Sequence, residues 1–124
     1  MSNILEDLRA YRLARNKAEG VDPSDYTEDQ ADKAMCGLLA HTTEELFELL
    51  MCINRKAWKP MPSIRGTSEE SQILRTQALE ELADVLLMLH AFTNAAGITE
   101  DEVLVALRYK TAKNLARLDH ICNQ

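Results

Sequence analysis

From Leu82 to Phe92 only Asp84 and His90 are polar. The run lies between a helix-start signal, Thr67 with Glu70 or Ser68 just after it, and a glycine stop at Gly97. These limits predict one helix from about residue 68 to Ala96, apolar nearly all round through its second half. A helix of that kind has to be covered on every side. A chain of 124 residues has few other helices to cover it with. The expectation is an oligomer, a homodimer or homotetramer. Length points the same way, because a thirty-residue helix is about 45 Å long. A compact domain of this size has a radius of gyration of only about 14 Å. Either the preceding helix breaks, with Gly37 the obvious place, or long helices project and pack against another subunit.

The remaining segments read as helices too. Ile4, Leu5, Leu8, Tyr11 and Leu13 recur at helical spacing between about Asn3 and Ala18, ahead of Gly20 and Pro23. Thr27 with Gln30 forms a capping-box start for a second helix that can run to Trp58, with Pro60 behind it. The stretch 59–66 holds two prolines and a glycine and reads as a loop. Thr99 with Glu102 opens a last helix ending near Ile121. No segment alternates as a strand does. The fold class expected is all-α, four main helices in one domain spanning residues 1–124.

Composition narrows the partners. A formal net charge of −6 argues against a nucleic-acid coat. Cys36, Cys52 and Cys122 are odd in number and widely spaced, so they read as free, mostly buried thiols in a reducing compartment. The N-terminus is charged from Glu6 onward, and no stretch approaches a membrane span. A soluble, cytoplasmic protein without nucleic-acid or membrane partners is expected.

Two acidic patterns carry the chemistry. Glu44-Glu45-Leu46-Phe47-Glu48 and Glu80-Glu81-Leu82-Ala83-Asp84 both read Glu-Glu-Leu-x-acid and both run into apolar sequence. Lys33 is the last lysine or arginine before Arg55, and Arg75 the last before Arg108. Residues three or four apart share a helix face, so Glu45 pairs with Glu48 and Glu81 with Asp84. Like charges at that spacing repel, and a poorly solvated carboxylate is costly without a partner. Antiparallel packing of the two helices converges four carboxylates from two sides. Hard oxygen donors without histidine or thiolate select Mg²⁺ or Mn²⁺. A ferritin-like di-iron site would need Glu-x-x-His, and His41, His90 and His120 have no acid three residues earlier. Read without a ligand, the same acids are a solvated helix face.

Glu44-Glu45-x-x-Glu48 followed by Glu81-x-x-Asp84 resembles the signature of the all-α nucleoside triphosphate pyrophosphatases, the MazG-like proteins and dimeric dUTPases. Lys110-x-x-x-Asn114-x-x-Arg117 resembles the pattern with which that superfamily grips a phosphate chain. Asn54-Arg55-Lys56-Ala57-Trp58-Lys59 is similar to the basic, aromatic end of the metal helix in the dUTPase branch. The interval between Glu48 and Glu81 is longer than the usual MazG spacing. The resemblance implies a MazG-like bundle with long antiparallel metal-binding helices. It also implies hydrolysis of a (d)NTP between its α and β phosphates, in nucleotide-pool control or house-cleaning. Glu45, Glu48, Glu81 and Asp84 would then be metal ligands, and Glu44 a further ligand or the group orienting the attacking water. Lys110, Asn114 and Arg117 would line a phosphate channel, with Lys56 and Lys59 as further candidates. Basic residues late in a helix are also expected from its dipole alone. Trp58 either stacks on a base or caps the core. His41 either touches substrate or donates to a carboxylate. Asn16 is a base reader by resemblance. The arginines Arg9, Arg12 and Arg15 read as an exposed stripe or intersubunit contacts. Base preference stays open among dUTP, dCTP and purines such as dGTP. The rival class is a non-catalytic oligomeric adaptor whose acidic helices bind a basic partner.

Overall fold

Each helix begins where a side chain takes up an amide that the helix itself leaves without a partner. In the computed structural model, which describes residues 3–53 and 62–123, four helices follow one another: α1 (Ile4–Glu19), α2 (Glu28–Ile53), α3 (Glu69–Ala95) and α4 (Glu100–Cys122). Asn3 accepts from the Glu6 amide at 2.9 Å. Thr27 and Gln30 cap reciprocally, at 3.1 and 2.9 Å, as do Thr99 and Glu102 at 3.1 and 3.3 Å. Ser68, not Thr67, caps α3, accepting from the Ser71 amide at 3.1 Å. Such caps are each worth about 1 kcal/mol. Gly20 and Gly97, both at φ 69°, stop α1 and follow α3 in the left-handed conformation. A single 3-10 turn, Pro23–Asp25, lies between α1 and α2 and has no counterpart in the sequence reading. It starts on Asp22, whose carboxylate accepts from the Ser24 amide and hydroxyl.

The chain is all-α, and no strand occurs among the described residues. α2 runs unbroken through Gly37, so the long-helix alternative holds. It lies antiparallel against α3: Ala34, Gly37 and Leu38 share a cavity wall with Ala91 and Ala95 at one end, and Cys52 shares one with Gln77 at the other. Among the described residues the buried apolar ones, Ala78, Val85, Ala91 and Ala95, all belong to α3. Small residues let the helices approach closely. Thr42, buried on α2, satisfies its hydroxyl by donating to the Leu38 carbonyl at 2.7 Å. α1 packs on α3, tied by the Asn16–Asn94 side-chain bond of 3.1 Å.

α4 behaves differently. The chain turns by 113° between α3 and α4, and every residue from Asp101 to Asn123 is exposed. The four helices therefore do not close into a four-helix bundle within one chain. Leu104, Leu107, Leu115, Leu118 and Ile121 lie open on α4, as do Leu82, Leu86 and Leu89 on α3. A folded monomer of this mass exposes about 6,700 Å²; this chain exposes 9788 Å². Cys36 and Cys122 are exposed and Cys52 is half-buried, contrary to the expectation of mostly buried thiols, because they sit on faces this chain does not cover. Among the described residues no single helix is long and apolar enough to cross a membrane.

Candidate metal centre

The antiparallel register of α2 and α3 sets the two acidic patterns opposite each other. Glu45, Glu81 and Asp84 each offer a carboxylate oxygen, all within 4.8 Å of one another. Glu45 and Glu81 are half-buried and Asp84 is exposed. Glu48 joins from the next turn of α2. Its carboxyl is held above the ordinary carboxylate range, first by hydrogen bonding with Glu81 and then by the Glu81 charge. Glu81 is raised as well, first by its hydrogen bonding with Glu45, then by removal from water. Carboxyl groups this close cannot all ionise without a counter-charge, so the protonated form of some is favoured. Glu44 stays exposed and reaches Glu48 only through its charge.

Among the described residues no lysine or arginine pairs with these acids. The one cationic candidate in contact is His41, whose Nε2 lies 3.1 Å from Glu45 Oε1, one turn away on α2. The Glu81 Oε2 oxygen is shielded from water and has no hydrogen-bond partner among the described residues. Leaving a shielded carboxylate oxygen unpaired is costly. A hard divalent cation fits this oxygen-only donor set and would complete the orphaned atom. A groove of about 410 Å³ runs beside the cluster, lined by Phe47, Glu48, Met51, Gln77, Glu80 and Glu81.

Among the described residues, the structure does not bring Lys110, Asn114, Arg117 or Asn16 to this point. Lys110, Asn114 and Arg117 stand exposed on α4. Arg117 lines a shallow groove only with residues of its own helix, Lys113 and His120 among them. Lys56, Trp58 and Lys59 lie outside the described residues. Asn16 is half-buried on α1, accepting from Arg12 Nη1 at 3.4 Å and donating to Asn94.

The arginines of α1 are not a uniform exposed stripe. Arg9 Nε donates to both carboxylate oxygens of Glu100, at 2.8 and 2.9 Å, and a second nitrogen closes the fork. Arg12 is half-buried, and only Arg15, bonded to Glu19 at 2.5 Å, keeps to its own helix surface. His90 Nε2 lies 3.6 Å from Glu100 Oε1. Arg9, His90 and Glu100 thus form a clamp at the root of α4 that sequence reading missed, since its members are far apart in the chain. Asn94 was missed as well, and no local signal marked it.

No protein-family model, curated protein or solved structure matches this chain.

Proposed function

We propose that the chain is a Mg²⁺- or Mn²⁺-dependent nucleoside triphosphate pyrophosphohydrolase of the MazG-like kind, acting as a homo-oligomer. The observation that carries this reading is the meeting of Glu45, Glu81 and Asp84 within 4.8 Å, with a Glu81 oxygen that has no partner among the described residues and no lysine or arginine among those residues paired with the acids. Glu45, Glu81 and Asp84 would hold the ion, with Glu48 completing the set. Bound there, the ion would polarise phosphoryl oxygens and make a water more acidic. Glu48, whose carboxyl is raised but exposed, suits a group that takes the proton of the attacking water. His41 would hold Glu45 in one orientation. Water adds to phosphorus, the α–β anhydride bond breaks, and pyrophosphate leaves with the bond's electron pair, giving the (d)NMP.

The oligomer is supported by surface area. The excess over a compact monomer is about 3,000 Å² per chain, about 6,000 Å² summed over two copies, the size of the larger obligate interfaces. A second copy covering α4 would also give Lys110, Asn114 and Arg117 an opportunity to meet a triphosphate that they lack within one chain. Light scattering should report a homo-oligomer, and Leu107→Glu or Leu115→Glu on α4 should dissociate it.

Chemistry is tested by incubating the protein with canonical and non-canonical (d)NTPs and Mg²⁺ or Mn²⁺, scoring pyrophosphate against orthophosphate. Metal-dependent pyrophosphate release is expected. Orthophosphate alone would exclude the proposed bond cleavage. No release, together with no effect of metal on thermal stability, would favour the adaptor reading instead.

A further inference from the structure

We infer that α4 is where two copies of this chain meet: their α4 helices pair antiparallel along one apolar stripe, crossing between residues 112 and 113. The inference rests on the oligomer of the reading above and on none of its chemistry. Leu104, Leu107, Leu118 and Ile121 line one face of α4, exposed by 43% to 64%. Thr111 and Asn114, also exposed, fill the interval between them. A residue of the stripe therefore recurs every three or four positions from 104 to 121. That is the repeat of helices that wind round each other. A helix with such a stripe buries it against a neighbour, and within one chain this stripe stays open. About 800 Å² from each partner makes a standard interface. The chain exposes about 3,000 Å² more than a compact monomer, and α4 contributes to it along its whole length.

The occupant is a second copy because the stripe complements itself. Reversed about its midpoint, α4 sets Leu104 against the partner's Ile121, Leu107 against the partner's Leu118 and Thr111 against the partner's Asn114. Apolar side chains meet apolar ones, and beside the axis a hydroxyl meets an amide twice over. A central polar layer of this kind fixes register; a slip of one heptad would put Asn114 against Leu104. Charge fixes direction. At about 100° per residue, Arg108 and Asp119 lie on one flank of the stripe, Lys110 and Arg117 on the other. Antiparallel pairing brings like flanks together, so Arg108 comes within about 3 Å of the partner's Asp119 along the axis. Symmetry repeats that pair. Parallel pairing would turn Arg108 toward the partner's Lys110 and crowd Glu100, Asp101 and Glu102 of both copies at one end. The antiparallel pair also gathers Lys110 and Arg117 of both copies on its other flank, where water and salt screen their repulsion. That flank stays open to phosphates, whereas Asn114 turns into the seam.

The test is sedimentation equilibrium of the full chain, without metal or nucleotide, beside the same measurement on charge reversals. Arg108→Asp and Asp119→Arg should each weaken association about tenfold, and the double reversal should restore it. Asp119→Arg brings the net charge of −6 nearer to zero, so a general relief of repulsion would strengthen association instead. The two residues lie about 16 Å apart within one helix, so rescue requires a contact between copies. Circular dichroism should show the same helicity in all three variants. Direction is read from spin labels on Cys122, with Cys36 and Cys52 replaced by serine. Antiparallel helices hold the two labels about 28 Å apart along the axis; parallel ones hold them side by side, about 10 Å apart. Labels side by side, reversals without effect, or a double reversal that fails to rescue would overturn the pairing and leave the oligomer standing. A monomer at every concentration would end both. Pyrophosphate release, measured separately, decides the chemistry whichever way the pairing falls.

Discussion

Two groups of carboxylates in this molecule meet opposite electrostatic fates. At the root of α4, Glu100 sits in the fork of Arg9 beside His90, and its carboxyl is pulled below the ordinary range, chiefly by the Arg9 hydrogen bonds. On the α2–α3 face, Glu48 and Glu81 sit among other acids and are pushed above it. The side-chain type is the same, and so is the helical setting. What differs is that Arg9 neutralises the clamp, while no lysine or arginine among the described residues pairs with the cluster. Among the described residues Glu100 is neutralised from far along the chain, and Glu81 is not. That is the pattern on which the proposed metal site rests.

The contrast can be broken most forcefully at Glu81. Glu81→Gln should lower pyrophosphate release by about a thousandfold, with helicity by circular dichroism unchanged. Persisting turnover would remove the cluster from the chemistry. Glu100→Gln, at the neutralised group, should leave turnover far less affected.

Next in size is the response to metal. At a free Mg²⁺ concentration about a hundred times its dissociation constant, linkage stabilises the fold by about 2.7 kcal/mol. The melting temperature should rise by several degrees in the wild type and hardly at all in Glu81→Gln. A rise of equal size in both would place the ion elsewhere.

Smaller still is the metal-free pH dependence, where the two groups should pull in opposite directions. Glu48 and Glu81 have raised carboxyls in the fold. Their stabilising contribution is present at acid pH and lost as pH rises through the raised values. Glu100 has a lowered carboxyl, so its contribution is present above the ordinary carboxylate range and lost as pH falls. Melting curves between pH 3 and 8 should show Glu81→Gln flattening the loss toward neutrality and Glu100→Gln flattening the loss toward acid. Saturating Mg²⁺ should erase the neutral-side loss alone.

The smallest effect belongs to Arg9→Met. The pair it forms with Glu100 is solvent-exposed, and such pairs contribute little. Global melting should barely move. Hydrogen exchange in the first turn of α4 should accelerate, and added salt should mimic the substitution in the wild type.

Local features were the most legible from sequence. The capping pairs Thr27–Gln30 and Thr99–Glu102 and the stops at Gly20 and Gly97 depend only on neighbours in the chain. The meeting of Glu45 with Glu81 and Asp84 was also legible, because a hairpin makes the two helices antiparallel and each acidic pair shares one helix face. Gly37 misleads as a break. Its cost of about 1 kcal/mol in a helix is offset by the packing of α2 on α3 through Leu38 and Thr42. The 3-10 turn at Pro23–Asp25 was announced by Asp22-Pro23 and overlooked. The surroundings of Lys110 and Arg117 were illegible, since they depend on the direction in which α4 leaves α3. So was the Arg9–Glu100 contact, 91 residues apart.

That direction hangs on a short joint. Gly97 adopts φ 69° while its amide reaches back to the Asn94 carbonyl and the Ile98 amide to that of Thr93. No atom would crowd a β-carbon there, so an alanine would meet only the conformational penalty, about 1–2 kcal/mol. The mechanical effect is larger than the energetic one. A rod of 23 residues is about 34 Å long, and a 10° error at its pivot sweeps the far end through about 6 Å, about twice the length of a hydrogen bond.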